Sequence, residues 1–287
     1  MVQYNPKEWF GLIFQFHKSD TFRILLPAMV CLGVYSGFLC YFFLEFLEYK
    51  PKSSMVLHSL LGFVISLLLV FRTNTAYDRW WEARKLWGAL VNISRNLALK
   101  SKSFLPVDEH EYIKTMIANF SMSLKHHLRK ELNDNHLKGC IGFDKDSLLH
   151  KKNIPNQIAL LIFNRFNQFY TEKKITGDQL FMVKEELTAF TDITGACERI
   201  KNSPIPYSYS LFIKKFIFVY TMTLPFGLMS DFGYWLIPIT IFVFYALTSL
   251  EVIAEEIEDP FGRESNDLPT DSIVVNIEKS ITEIFEL

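Results

Sequence analysis

The segment richest in chemically capable side chains is Arg72-Thr-Asn-Thr-Ala-Tyr-Asp-Arg-Trp-Trp-Glu-Ala-Arg-Lys-Leu-Trp-Gly88, with three Trp, three Arg and two acids directly after a long apolar run. Asn74 and Asp78 are four residues apart, as are Asp78 and Glu82, and Glu82 reaches Lys85 at i+3, so a helix here holds a ladder of side-chain pairs. Composition makes it a helix entering the headgroup zone, with an aromatic belt and snorkelling basic side chains. A second charged segment carries Glu251, Glu255, Glu256, Glu258, Asp259, Glu264, Asp267 and Asp271 against only Arg263. Carboxylates at that density either hold a hard cation such as calcium or form a solvated face, and no EF-hand pattern is present.

Other chemistries are poorly provided for. His126 and His127 are adjacent, about 100° apart on a helix and badly placed to chelate together. His110-Glu111 lacks the second His of a zinc-protease motif, no glycine-rich phosphate loop occurs, and Asn92-Ile-Ser94 is a glycosylation match on the wrong side of the expected membrane. Cys31, Cys40, Cys140 and Cys197 form no CxxC pair and read as small apolar fillers. No nucleophile, base and oxyanion set has readable spacing, so an enzyme is not expected. With 30 Lys+Arg against 31 Asp+Glu, no global field points to nucleic acid.

The elements that must position these residues are membrane helices. Hydrophobic residues make up 49% of the chain and 27 are Phe, more than a water-facing surface accommodates without lipid or burial. Ile24 to Leu44 is free of charge and spans about 30 Å as a helix, the thickness of a hydrocarbon core. Ser53 to Phe71, Phe216 to Ser230 and Phe232 to Leu250 are charge-free as well, the last two joined by a turn at Met229–Gly233. Pro225 and Pro238 are tolerated where neighbouring helices rescue freed backbone groups. Lys18, Arg23, Arg72, Arg79, Arg84, Lys85, Lys214 and Lys215 flank one side, and only Lys50 and Lys52 the other, which puts both termini in the cytoplasm. No cleavable signal peptide is expected. His58 lies inside the second span and is expected to point away from the Phe63 side, with no assigned role.

Between the second and third spans the composition turns polar. Helices are expected at 75–103 as a continuation of the second span, at 106–133, and at 155–200 with a break near Gly177, with a loop at Asn133–His136. The organisation is therefore an N-terminal segment with spans 1 and 2 (1–71), a cytosolic helical region (72–213), spans 3 and 4 (214–250) and a cytosolic acidic segment (251–287), an all-α membrane protein.

Arg79-Trp80-Trp81 within its Arg-Thr-Asn-Thr-x-Tyr-x-Arg-Trp-Trp-Glu-Ala-Arg surroundings strongly resembles the signature of the bestrophin family, and of its bacterial subgroup in particular. Cys197-Glu-Arg-Ile-Lys-Asn-Ser-Pro-Ile-Pro-Tyr207, Glu258-Asp-Pro-Phe-Gly262 and Asn266-Asp-Leu-Pro269 match further along, in order around the four spans. The resemblance covers nearly the whole chain. It implies a homopentameric channel in the bacterial inner membrane that passes small monovalent ions, foremost anions such as chloride, along the fivefold axis. It further implies an apolar neck at Phe63, Leu67 and Phe71, which share one helix face at i, i+4 and i+8, and a second, cytosolic aperture at Leu180, with Phe181 and Val183 as neighbours in contention. Leu67 stands where some animal members have an aromatic, and the neck has no fixed charge, so a sodium or potassium channel on the same scaffold stays open; so does a membrane receptor or scaffold with a partner-binding cytosolic region.

In animal relatives a loop resembling the acidic segment clasps calcium, and the matching positions are Glu256, Asp259, Glu264 and Asp267. Here Arg263-Glu-Ser-Asn-Asp267 interrupts the unbroken acidic run of those relatives. A solvated acidic face with no required cofactor is the expected state. Arg72, Asp78, Arg79, Glu82 and Arg84 are expected to tie the second helix to its neighbours.

Overall fold

The computed structural model describes residues 20–49, 55–131, 136–145, 148 and 151–286. Lys18, Lys50, Lys52, the first residues of the second apolar run at Ser53, and most of the expected Asn133–His136 loop lie outside the described residues. Among the described residues all regular structure is helical. In chain order the helices are α1 (Asp20–Cys40), continued by a π-helical turn at Tyr41–Phe46, α2 (Met55–Phe104), α3 (Val107–Arg129), α4 (Ile154–Thr171), α5 (Gly177–Asn202), α6 (Tyr207–Phe232), a 3₁₀ turn at Gly233–Trp235, α7 (Leu236–Glu258) and α8 (Thr270–Glu286).

The helices form two compact units that divide α2 between Arg79 and Trp80. The apolar unit takes the first half of α2 with α1, α6 and α7, and runs in its later part from Pro204 to Glu258. Among the described residues three stretches are long and apolar enough to cross a membrane, Thr21–Phe46, Met55–Phe104 and Tyr207–Glu258, and the turn at Gly233–Trp235 divides the third into the α6–α7 hairpin. The chain is therefore an integral membrane protein, with four apolar helices among the described residues. α7 packs against both α1 and α6. Leu39, Cys40, Leu224, Leu228, Met229 and Leu236 close one interface, and Ile65, Leu69, Ile213 and Ile217 the α2–α6 interface.

Close approach of α2 to α6 depends on two glycines. A Cβ at Gly62 would stand 2.8 Å from Tyr220 Oη, and one at Gly227 3.0 Å from His58 Nδ1. Small residues take this place in membrane helices because lipid offers no hydrophobic drive to bring the helices together. His58 fills the space over Gly227, turned away from the Phe63 side. Its Nε2 lies 3.1 Å from the Thr223 carbonyl oxygen, which accepts only, so Nε2 carries the proton.

The polar unit comprises Trp80–Ser203 and Asp259–Leu287. α3 packs on α4, α5 and α8, around a core that includes Trp87, Leu97, Phe120, Phe166, Phe169 and Phe190, with Phe120 and Phe190 centroids 4.3 Å apart. Gly177 opens α5 rather than merely breaking a longer helix: Thr176 Oγ1 accepts from the Gln179 N–H and Gln179 Oε1 from the Thr176 N–H, a complete capping box. The C-terminal segment was expected only for its carboxylates. It forms α8, whose Ile273, Val274, Ile277 and Ile281 are buried on one face. Arg129 fixes the start of α8 through bonds to both carboxylate oxygens of Asp271, at 3.1 and 2.8 Å, and to Thr270.

Candidate functional site

The site is built on the first half of α2, a helix that no Gly-Pro pair or proline interrupts between Met55 and Phe104. One face is fully packed: Ile65 and Leu69 meet α6, and Arg72 and Ala76 continue the same buried side. The opposite face is bare. Phe63, Leu67 and Phe71 are 66%, 46% and 57% exposed, and Asn74 and Asp78 are exposed beyond them. Three large apolar side chains presented outward by a helix with one face already anchored need lipid or further copies of the chain.

The anchor below the apolar stripe is a polar hub within the apolar unit. Arg72 is 1% exposed; its Nη2 donates to Glu258 Oε2 at 2.6 Å, and its Nε lies 3.7 Å from Glu251 Oε2, itself 2% exposed. Glu258 Oε1 accepts from the Ile205 N–H at 2.6 Å, and the Glu258 carbonyl accepts from Arg79 Nε at 3.1 Å. One residue at the end of α7 thus holds α2 twice and the entry to α6 once. Arg72 makes one close hydrogen bond, to Glu258, while its Nε and Nη1 and both Glu251 carboxylate oxygens are buried without a hydrogen-bond partner, so the Glu258 contact is what chiefly offsets the cost of burying the guanidinium. The sequence reading placed Arg72 and Arg79 in such a role but assigned none to Glu251 or Glu258. Glu251 stands in the sequence only as one more acid in an acidic run, whereas Glu258 also heads the Glu258-Asp-Pro-Phe-Gly262 match.

In the polar unit Trp80 Nε1 donates to the Asn266 carbonyl at 3.0 Å, Lys85 Nζ lies 5.9 Å from the exposed Trp81 ring, and Glu82 pairs with Arg199 at 2.5 Å. The Arg79-Trp80-Trp81 motif is thus two anchors and one exposed ring. Asp78 and Arg84, expected to tie α2 to its neighbours, instead face outward.

On α5, Leu180 is half-buried against the core, Val183 is completely buried, and Phe181 is 72% exposed. Val183 therefore drops out as an aperture residue. Phe181 heads an exposed stripe with Lys184, Glu185, Thr188 and Asp192, which line a shallow concavity; it presents more of its side chain outward than Leu180.

Of the four positions that match calcium-bearing sites of animal relatives, two have other engagements. Asp259 pairs with Lys201 at 2.5 Å, and Asp267 is buried, its Oδ2 accepting from the Glu264 N–H at 2.7 Å. Glu264 itself is exposed and Glu256 half-buried. Among the described residues no three His, Cys, Asp or Glu side chains converge as a metal site. Cys197 sits in the core, where burial pushes its thiol up to about 12, so it is an inert filler as expected.

A family model described as Bacterial/Fungal Bestrophin protein matches residues 1–283. A voltage-dependent anion channel-forming protein of Nostoc sp. is 32% identical over 98% of this chain and 93% of its own length. The voltage-dependent anion channel-forming protein YneE of Escherichia coli is 32% identical over 97% of this chain and 92% of its own. The crystal structure of a bacterial bestrophin homolog from Klebsiella pneumoniae superposes with a TM-score of 0.83 at 29% identity, covering 91% of this chain and 98% of that one. The four-helix apolar unit, the packed and bare faces of α2 and the Arg79-Trp80-Trp81 anchors thus have a common explanation: the chain belongs to the bacterial and fungal bestrophin family.

Proposed function

We propose that the protein is a homopentameric ion channel of the bacterial inner membrane, both termini cytoplasmic, passing small monovalent anions such as chloride. The observation that carries this reading is the division of α2 into one face packed on α6 and an opposite face that presents Phe63, Leu67 and Phe71 outward. A single helix per subunit cannot enclose an aqueous path, so the path requires several copies around an axis. In that assembly the three side chains form stacked apolar rings that conduct when wide enough to hold water and close by dewetting when narrow. The Phe ring edges carry partial positive charge and favour anions. The names of the Nostoc and Escherichia relatives support the same sign. Phe181, with Leu180 behind it, supplies the second, cytosolic constriction. The channel needs no cofactor, and the acidic segment works as pairing and capping groups.

The test is the reversal potential of purified protein in planar bilayers under a KCl gradient, with the mass in detergent measured alongside. A pentamer reversing near the chloride equilibrium potential supports the reading. Reversal near the potassium value makes it a cation channel, and a monomer without current overturns the channel altogether.

A further inference from the structure

Between Met55 and Arg79 α2 carries three charged side chains besides His58, and two of them are committed to the protein. Arg72 is buried with Glu258 and Glu251, and Arg79 donates to the Glu258 carbonyl. The third, Asp78, is exposed and makes no hydrogen bond or ion pair among the described residues. Its direction is set by helix geometry. At about 100° per residue, Leu67, Phe71, Asn74 and Asp78 lie about 40°, 80°, 20° and 60° round from Phe63. The buried Ile65, Leu69, Arg72 and Ala76 lie about 180° to 240° round. Asp78 is therefore in the same sector as the three apolar side chains, about 10 Å further along the axis from Phe71.

We propose that Asp78 is the charge-selecting residue of the conduction path. The inference rests on the channel reading above and adds to it the group that determines how strongly the path favours anions. The neck has no formal charge and discriminates sign only through ring edges, whereas a fixed carboxylate on the same face acts on every ion that leaves or enters it. In a symmetric assembly each copy contributes one, giving a ring of negative charge at the inner end of the neck, with the Asn74 amides between. Such a ring concentrates cations and opposes the anion preference of the aromatic rings. The cation at i+1, Arg79, is held by Glu258 on the other side of the helix and cannot neutralise it.

The experiment measures the chloride-to-potassium permeability ratio in planar bilayers for the whole protein and for Asp78→Asn, Asp78→Lys and Asp78→Glu, with Leu67→Ala as the control for the path itself. The ratio rises about threefold or more in Asp78→Asn, further in Asp78→Lys, and stays near the parent value in Asp78→Glu. The difference between parent and Asp78→Asn shrinks as KCl goes from about 0.1 M to about 1 M, because the screening length falls from about 10 Å to about 3 Å. Asp78→Cys, assembled first and then labelled with a cationic or an anionic thiol reagent, gives the same reading without depending on the folding of the other variants: opposite shifts support the proposal and equal shifts overturn it. An unchanged ratio in Asp78→Asn and Asp78→Lys, while Leu67→Ala alters conductance, overturns the role of Asp78 and leaves the channel reading intact. No effect of any of these substitutions removes the path from this face and takes both with it.

Discussion

The two units are stabilised in different ways. The polar unit is filled by large side chains: Trp87, Phe120, Phe166, Phe169 and Phe190 are all fully buried. The apolar unit has ample Phe, yet Phe38, Phe63, Phe218 and Phe242 point outward, and its interfaces close on Gly62, Gly227, Ile and Leu, with the Arg72–Glu258 hub as its polar fastening. Water drives the first arrangement, since burying aromatic area is what holds helices together there. In lipid that drive is absent, so close backbone approach and a few strong polar contacts take over. The same residue type therefore has opposite roles in the two units.

Truncation separates them most sharply. Phe190→Ala removes a ring packed at a tilt against Phe120 in the polar core and is expected to cost about 3–5 kcal/mol, read as a large loss in melting temperature in detergent. Glu258→Gln belongs to the same range for a different reason: it leaves Arg72 buried beside Glu251 at 3.7 Å without its close partner, at a cost of about 3–5 kcal/mol. A small effect in the second variant would mean that α2 is held by apolar contacts after all.

Enlargement is the reverse test. Gly227→Val puts a side chain where the His58 ring stands 3.0 Å from the Cβ position, and is expected to cost about 1–3 kcal/mol while moving α2 from α6. Gly195, in the polar unit, has nothing within 4 Å of its Cβ position, and Gly195→Ala is expected to be neutral or slightly stabilising. Equal losses from the two would erase the distinction between the interfaces.

Acid sharpens the comparison further. Burial pushes Glu109 up, but hydrogen bonds from Lys174 and Arg165 outweigh it and hold the carboxyl below its ordinary value, and Asp271 is held low by its hydrogen bonds from Arg129 and Lys125. Groups with a lowered folded pKa contribute stability that is full above their unfolded value and lost as pH falls through the folded one. The polar unit is expected to loosen first as pH drops below about 4. Proteolysis within Trp80–Ser203 reads this out, and Asp271→Asn should remove part of the pH dependence.

How far the sequence revealed this depends on the range of the interaction. Charge-free runs marked the apolar helices, and the lack of any breaker after Phe71 showed that α2 continues through the Arg79-Trp80-Trp81 motif. The neck side chains shared a face by spacing alone. The Arg72–Glu258 pair joins residues 186 positions apart, and although Glu258 heads the Glu258-Asp-Pro-Phe-Gly262 match, no local pattern says that Arg72 is its partner. The stripe of Ile273, Val274, Ile277 and Ile281 was legible as helical periodicity, but the carboxylates dominate the segment and point to a solvated acidic face instead. On α5 the spacing of Leu180, Phe181 and Val183 could not say which one faces out, because that is set by how α5 packs on α3 and α4.

The smallest expected stability change belongs to the residues with the largest expected effect on conduction. Phe63, Leu67 and Phe71 make little of their contact within the protomer, so alanine at any of them removes few contacts that folding creates, and each is expected to change the melting temperature of the protomer fold by no more than an ordinary surface substitution, within about 0.5 kcal/mol. Under the channel reading conductance should nevertheless rise, or closure fail, because the rings they would form supply the apolar constriction proposed for that face of α2. Phe190→Ala and Phe63→Ala thus compare the same deletion of a phenyl group in the two units. If Phe63→Ala destabilises as much as Phe190→Ala and leaves conductance unchanged, Phe63 is a packing residue and the outward face of α2 is an ordinary helix contact.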